Sequence, residues 1–392
     1  MKAESPAGGV AVIGGFYFCY FAFNGLFSPY WGLYLAALAL PAWQIGILTS
    51  LTQVNRIYAP AIWGWLADRS CRRRAILRLA GVAGLAGFLS LLVVDTFWPM
   101  FLAVLFASFF WSAALPLVES LAIGRLAGDS GRYARLRVWG SIGFIAASLG
   151  AGYWIEASGV KVFPLAVVGT MAGLAVYCWR LPESPVRAVA AELSAGFGDI
   201  LRRREVRVFL VGCFLMSLAH GPYYSFYSIH LAEHGLAQST IGWLWTVGVL
   251  AEVGLFLAMP LLNRRFSPKA LFVGDFAIAV VRFLLIAFGA HSLPLLAVAQ
   301  LGHAFTFACH HAVAMGYLHR HFAGAHAAKG QALYIAASFG IGGSLGGVIA
   351  GFLWADFSGA TVFALAAGVS ALGGVLCAFG LPGQRKIAMT GR

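Results

Sequence analysis

The chain has 392 residues, 60% of them hydrophobic and only 10% charged, whereas a soluble domain carries roughly 25% charged residues; a water-compatible surface is excluded. Crossing a bilayer takes about 20 apolar helical residues, so twelve spans would use about 240 and leave no room for a large soluble domain. The net charge of +13 does not point to nucleic acid, because the basic residues fall in alternate connections between apolar runs, which is the positive-inside pattern.

Stretches such as Leu79 to Val94 and Pro99 to Val118 are apolar almost without interruption. A barrel strand would alternate, so the spans are helices. The first predicted span covers residues 12–38 and crowds Tyr17, Tyr20, Phe27 and Tyr30 around a lone amide, Asn24. That amide could donate to a substrate or bond a neighbouring helix. No convincing cleavage site precedes it, so the span is expected to act as an uncleaved anchor. The second span, 43–66, carries Arg56 midway. The connection that follows holds Asp68, Arg69, Arg72, Arg73 and Arg74.

Spans three to six are predicted at 75–94, 98–123, 134–156 and 162–180. Glu119 lies near the end of the fourth and Arg137 near the start of the fifth, with Trp139 close behind. Two antiparallel helices joined by a short loop place Glu119 and Arg137 at similar depth, so an ion pair is expected. It would serve a ligand or hold the helices together. The halves are predicted at 1–181 and 207–392, joined by a linker at 182–206 that carries prolines, several charges and a short amphipathic helix at most.

The second six spans are predicted at 207–231, 239–262, 269–289, 293–317, 330–354 and 360–380. Half a chain after Ile45-Gly46 comes Ile241-Gly242; Ser141 and Gly143 return as Ser338 and Gly340, and Ala151-Gly152 as Ala350-Gly351. Paired six-span halves are a known transporter plan. Small residues recur every fourth position in the fifth span (Gly143, Ala147, Ala151) and the eleventh (Gly343, Gly347, Gly351). Such spacing lets helices approach closely; a sliding surface is the alternative.

Ionisable residues inside apolar spans are costly, by about 2.5–3.5 kcal/mol for a charge at the helix centre, and are functional candidates by default. Besides those named they are Glu252, Asp275, Arg282 and His303, with His220, His310 and His311 close behind. Glu252 follows Arg56 by half a chain, which puts the two at equivalent depths in their halves. Arg282 and His303 form a second polar cluster. A histidine or a desolvated glutamate can exchange a proton near neutral pH, although His303 could equally make an interhelical hydrogen bond. Tyr223 and Tyr224 of the seventh span could stack on a ring or simply pack. The six cysteines form no CxxC pair, and neither a disulfide framework nor a metal site is indicated. No Walker, HExxH or other catalytic signature is present, so neither an ATP-driven engine nor an enzyme is expected.

The run from Gly64 through Asp68, Arg69, Arg72 and Arg73 resembles the loop signature of the major facilitator superfamily, which in that family latches the inner gate. Cys71 stands where the family usually has glycine. Along nearly its full length the chain resembles the branch holding lactose permease and the phenylpropionate permeases. Glu119 and Arg137 are similar to the sugar-binding acid and arginine of lactose permease, and Arg282 and His303 to its coupling pair. Thr306 stands where that permease has its proton-carrying glutamate. His220 before Tyr223-Tyr224, Ile241-Gly242 to Glu252, and His303 to Cys309-His310 fit the phenylpropionate pattern better, as does Arg56.

The resemblance implies an all-α protein of twelve transmembrane helices in two six-helix halves. It implies proton-coupled symport of a small organic solute, best an aromatic carboxylate such as 3-phenylpropionate. Asn24, Arg56, Glu119, Arg137, Trp139, Tyr223 and Tyr224 would contact substrate. Glu252, Arg282 and His303 would couple protons, and Asp68, Arg69, Arg72 and Arg73 would gate. No cofactor, metal or nucleic acid is expected. The expected setting is the inner membrane, with both termini cytoplasmic and the chain monomeric. Rival readings are a sugar or nucleoside symporter, a drug or metabolite exporter, and a membrane-embedded sensor that binds without transport.

Overall fold

The structure, a computed structural model, describes residues 6–126, 129–182 and 196–383. The described residues are helical throughout apart from short turns, with no strand among them. Helices that are apolar all round satisfy every backbone group internally, as a bilayer requires. Most of the predicted linker (183–195) and the basic residues Arg385, Lys386 and Arg392 lie outside the described residues. In what remains of the linker, a short helix runs over Phe197–Arg202.

The described residues form twelve long spans: α1 (Pro6–Ala37), α2 (Ala42–Ser70), α3 (Arg73–Leu89), α4 (Phe97–Arg125), α5 (Ser130–Ser158) and α6 (Phe163–Arg180), then, after the short α7, α8 (Arg204–Glu233), α9 (Gln238–Arg265), α10 (Pro268–Phe288), α11 with α12 (Leu293–Ala304, His310–His321), α13 with α14 (Ala327–Ile335, Ser344–Asp356) and α15 (Gly359–Gly380). Among the described residues eleven are long and apolar enough to cross a membrane. The twelfth is α2, whose apolar character is diluted by Gln44, Gln53, Asn55 and Arg56. Several helices overrun the predicted spans by a turn or less, because helical hydrogen bonding does not stop where apolarity does. Side-chain caps close some of the extended ends: Asp129 accepts from Arg132 N at 2.9 Å and Ser267 from Ala270 N at 3.2 Å.

Two predicted spans are not uniform α-helices. The tenth widens into a π segment over Phe305–Cys309 and the eleventh over Ala336–Gly343. A π turn adds a residue without interrupting the apolar run, so it leaves no mark on hydropathy.

The chain divides into two compact units, one of residues 1–189 with 235–246, the other of 190–234 with 247–392. In unit one, α1 packs on α5 and α6, α3 on α4 and α6, and α2 on α4. The α1–α5 contact is backbone to backbone: a Cβ at Gly143 would lie 2.1 Å from Phe18 O. In unit two, α8 packs on α14, α15 and the π segment of the eleventh span, and α10 on α11 and α15. The α8–α14 contact is equally close, since a Cβ at Gly221 would lie 2.1 Å from the Gly346 backbone. The small-residue packing expected of the fifth and eleventh spans is therefore present. In the eleventh its backbone contact with α8 runs through Gly346, beside the predicted stripe.

Candidate functional site

In unit one, α4 and α5 bring Glu119 and Arg137 together: Arg137 Nη1 donates to Glu119 Oε1 at 2.8 Å. Both side chains are about one-third exposed (34% and 36%), so the pair is only partly covered by the helices around it. The Arg137 guanidinium also lies over the rings of Tyr17 and Phe21, 5.2 and 5.0 Å from their centroids. α1 supplies this aromatic wall because Tyr17, Tyr20 and Phe21 fall on neighbouring positions of one helix surface. Tyr20 in turn stacks on Trp111 at 4.7 Å with the planes 5° apart.

Of the other predicted residues of this unit, Arg56 shares with the pair the electrostatic surroundings of Tyr20. Asn24 Nδ2 donates to Tyr20 O, one turn back in its own helix, at 2.8 Å. That bond uses one amide proton within α1 rather than across to a neighbour. Arg56 is half-buried midway along α2. Its neighbour Asn55 is fully buried and ties α2 to α4, donating to Leu105 O at 3.0 Å and to Ser108 Oγ at 2.6 Å. Trp139 is two positions from Arg137, hence on another helix face, where it is 50% exposed and lies against Gly14.

At the signature connection, Asp68 Oδ1 pairs with Arg73 Nη2 at 3.3 Å, and Arg73 Nη1 donates to Ser120 Oγ at 3.2 Å. The α2–α3 turn is thereby tied to the end of α4. Arg69 lies over the Trp65 ring at 5.5 Å. Arg72 opens α3, its backbone N donating to Ser70 Oγ at 3.3 Å. Cys71 closes α2 in the left-handed region, φ 52°, a conformation that glycine adopts without cost.

Unit two holds the larger constellation, and it is buried. Glu252 Oε1 meets His303 Nε2 at 3.0 Å. Arg282, 1% exposed, directs Nε to Ala299 O at 3.1 Å and Nη1 to His220 Nε2 at 3.1 Å. Its guanidinium sits 4.0 Å from the Tyr223 ring centroid. His220 is bound besides through Nδ1 to Met216 O at 2.8 Å and through Nε2 to Thr306 Oγ1 at 3.1 Å. Tyr223 donates to Gln300 Oε1 at 3.0 Å. Tyr224 sets its ring beside those of His220, Tyr223 and His303.

Arg282 and His303, expected to form one polar cluster, both lie against the ring of Tyr223, and Glu252 joins them. The imidazole of His303 meets Glu252, and the guanidinium of Arg282 turns to His220. His220, Gln300 and Thr306 join the cluster, although spacing did not single them out as site residues. The available signal was weak: a histidine and an amide inside apolar runs, with no sequence rule pairing α8, α10 and the tenth span. Among the described residues no group of three or more His, Cys, Asp or Glu side chains could hold a metal ion.

A membrane-embedded chain of paired helices with ionic clusters inside its spans is the architecture of a secondary transporter. The chain matches the MFS_1 like family over residues 11–365 and belongs to it. It is 29% identical over 347 residues to a probable 3-phenylpropionic acid transporter of Escherichia coli, covering 86% of this chain and 89% of that protein. It is 30% identical over 275 residues to a maltose permease of Geobacillus stearothermophilus, covering 69% and 68%. The crystal structure of the nucleoside transporter NupG superposes with a TM-score of 0.81 at 19% identity, covering 94% of this chain and 98% of that one, which shows the shared fold. The protein is a multi-pass secondary transporter of the major facilitator type and not an enzyme.

Proposed function

We propose that the protein is a proton-coupled symporter of a small organic solute, best fitted to an aromatic carboxylate such as 3-phenylpropionate. The observation that carries the coupling is the buried contact of Glu252 with His303 at 3.0 Å. A carboxylate and an imidazole in contact inside an apolar span can hold a proton that neither would hold cheaply as an isolated charge. Arg282 is the positioning residue of the coupling group, fixing His220 and the ring of Tyr223 beside it.

The carboxylate reading rests on arginines within the spans and on the likeness to the probable 3-phenylpropionic acid transporter. A guanidinium presents a planar fork to a carboxylate, and Arg56 and Arg137 are the candidates. Tyr17, Phe21, Tyr223 and Tyr224 offer ring faces, and Asn24 and Trp139 are the outlying members of the proposed set. Residues 1–181 and 207–392 are the proposed six-helix halves. Asp68, Arg69, Arg72 and Arg73 are the proposed gate, through the tie of Arg73 to Asp68 and Ser120. The basic connections argue for an inner membrane with both termini cytoplasmic, and a monomer needing no cofactor suffices.

Uptake of labelled 3-phenylpropionate into proteoliposomes, with and without an inward proton gradient, tests the reading. Accumulation that collapses with a protonophore is expected. Absence of uptake by vesicles shown to be competent would discard the carboxylate. A second reading, sugar symport, is favoured by Glu119: Arg137 is already paired with an acid at 2.8 Å, and an acid–arginine pair suits hydroxyls. The likeness to a maltose permease points the same way. Competition by uncharged sugars and not by carboxylates would establish it.

A further inference from the structure

Unit two contains a second buried acid–histidine pair that the proposed coupling cluster does not use. Asp275 on α10 is 1% exposed, and His310, at the start of α12, is 6% exposed. Asp275 Oδ2 lies 3.8 Å from His310 Nδ1. Neither that oxygen nor either ring nitrogen of His310 has a hydrogen-bond partner among the described residues. His310 is held flat against Phe272, at 4.5 Å with the planes 21° apart, and edge-on to Phe276 at 5.8 Å. Cys309, next to His310 in the chain, is likewise fully buried.

A π segment lies between the two histidines of this span, which contact different acids. Residues seven apart on an unbroken α-helix share nearly the same face. Phe305–Cys309 widens the turn between His303 and His310, and the two rings meet different partners. His303 faces Tyr223 of α8 and Glu252 of α9; His310 faces Asp275 and the phenylalanines of α10. Along α10 the arrangement repeats with the signs exchanged. Arg282 lies seven residues beyond Asp275, about 10 Å along the helix, and is engaged with His220 and Ala299.

We infer that Asp275 and His310 form a second proton-binding site in unit two, holding one proton between carboxyl and imidazole. Inside an apolar span an isolated carboxylate is costly. With one shared proton the pair is neutral overall, wherever the proton sits. Among the described residues His310 is the ion-pair partner of Asp275. Other titratable neighbours are the Cys309 thiol on the same span, Cys377 of α15 and Tyr317 beside Phe272, His311, which is turned to Tyr334 Oη at 3.2 Å, and His220 of the coupling cluster, which lies within electrostatic reach of His310. The inference rests on the proton-coupled reading for the purpose of the site, not for its existence.

The test needs neither substrate nor gradient. Infrared difference spectra of the purified full chain in nanodiscs, between acidic and alkaline buffer, report carboxyl and imidazole protonation directly. The expected result is a component that survives Glu252→Gln and is lost in both Asp275→Asn and His310→Gln. Size-exclusion profiles and thermal denaturation confirm that each variant is folded. If Asp275→Asn does not fold, loss of the component in His310→Gln decides alone. A spectrum unchanged by substitutions at this pair, or a component that disappears with Glu252→Gln, would overturn the inference and leave a structural contact. If the component behaves as expected while vesicle uptake proves independent of the gradient, the site stands and the coupling reading falls.

Discussion

The ionic pair of unit one and the cluster of unit two are built from the same chemistry under opposite solvation. Glu119 and Arg137 sit about one-third exposed, a single bridge backed by the rings of Tyr17 and Phe21. The side chains of Glu252 and His303 are 16% and 6% exposed, and beside them Arg282, His220, Tyr223, Gln300 and Thr306 are joined by hydrogen bonds and a ring contact. An exposed pair contributes about 0–1 kcal/mol to stability. Its geometry is therefore free to be used by a ligand. A buried network depends on every member being partnered, because low dielectric raises the cost of each unsatisfied group. The first region is suited to exchange partners, the second to hold a proton in a fixed place.

The largest effect that separates the two is on energy coupling. Glu252→Gln should abolish gradient-driven accumulation while substrate exchange continues in counterflow. Glu119→Gln should leave whatever accumulation remains fully sensitive to a protonophore. Paired vesicle assays of the two variants read this directly. Accumulation surviving in Glu252→Gln would remove the coupling role from unit two. Next in size is Arg137→Lys, which keeps the charge but loses the planar fork. Substrate affinity should fall, while thermal stability changes by no more than about 1 kcal/mol. A large loss of stability with unchanged affinity would turn the pair into a structural bridge.

A smaller effect tests the integrity of the buried network. Tyr223→Phe removes the hydroxyl that donates to Gln300 at 3.0 Å and leaves a buried amide oxygen without that donor. The loss should be about 1 kcal/mol, since interhelical hydrogen bonds in membranes average about 0.6 and an orphaned buried acceptor costs about 1–3. Denaturation of the purified protein measures it, and no loss would mean that Gln300 finds another donor.

How much of this was legible before the structure depended on whether partners were neighbours in sequence. Glu119 and Arg137 belong to consecutive antiparallel helices, so distance from their shared loop fixed the pairing. Glu252, Arg282, His303 and His220 come from four spans whose mutual rotation no sequence spacing determines. They were visible as charges inside apolar runs, but their wiring was not. Eleven of the long helices among the described residues were legible from apolar length, while α2 is diluted by Gln44, Gln53, Asn55 and Arg56. The π segments were invisible because one extra residue in a turn leaves hydropathy untouched, yet Phe305–Cys309 lies between His303 and His310. Asn55, which ties α2 to α4, was overshadowed by the charge of Arg56 beside it.

The smallest expected effect compares the two corresponding turns. Cys71 ends α2 at φ 52°, where a side chain costs roughly 1–2 kcal/mol that glycine does not incur. The turn from α9 into α10 is closed differently: Ser267 caps the helix at φ −74°, and among the described residues positive φ outside glycine occurs at Ala39 and Cys71. Cys71→Gly should therefore raise stability by about 0.5 kcal/mol, the relief of strain being partly offset by the greater freedom glycine adds to the unfolded chain, worth about 0.4–1 kcal/mol. Phe266→Gly in the other turn should lower stability by about that same entropic term. Denaturation curves of both variants check the contrast. Equal destabilisation by the two would mean that the α2–α3 turn is held by the Asp68–Arg73–Ser120 ties strongly enough for the Cys71 strain to relax into its surroundings.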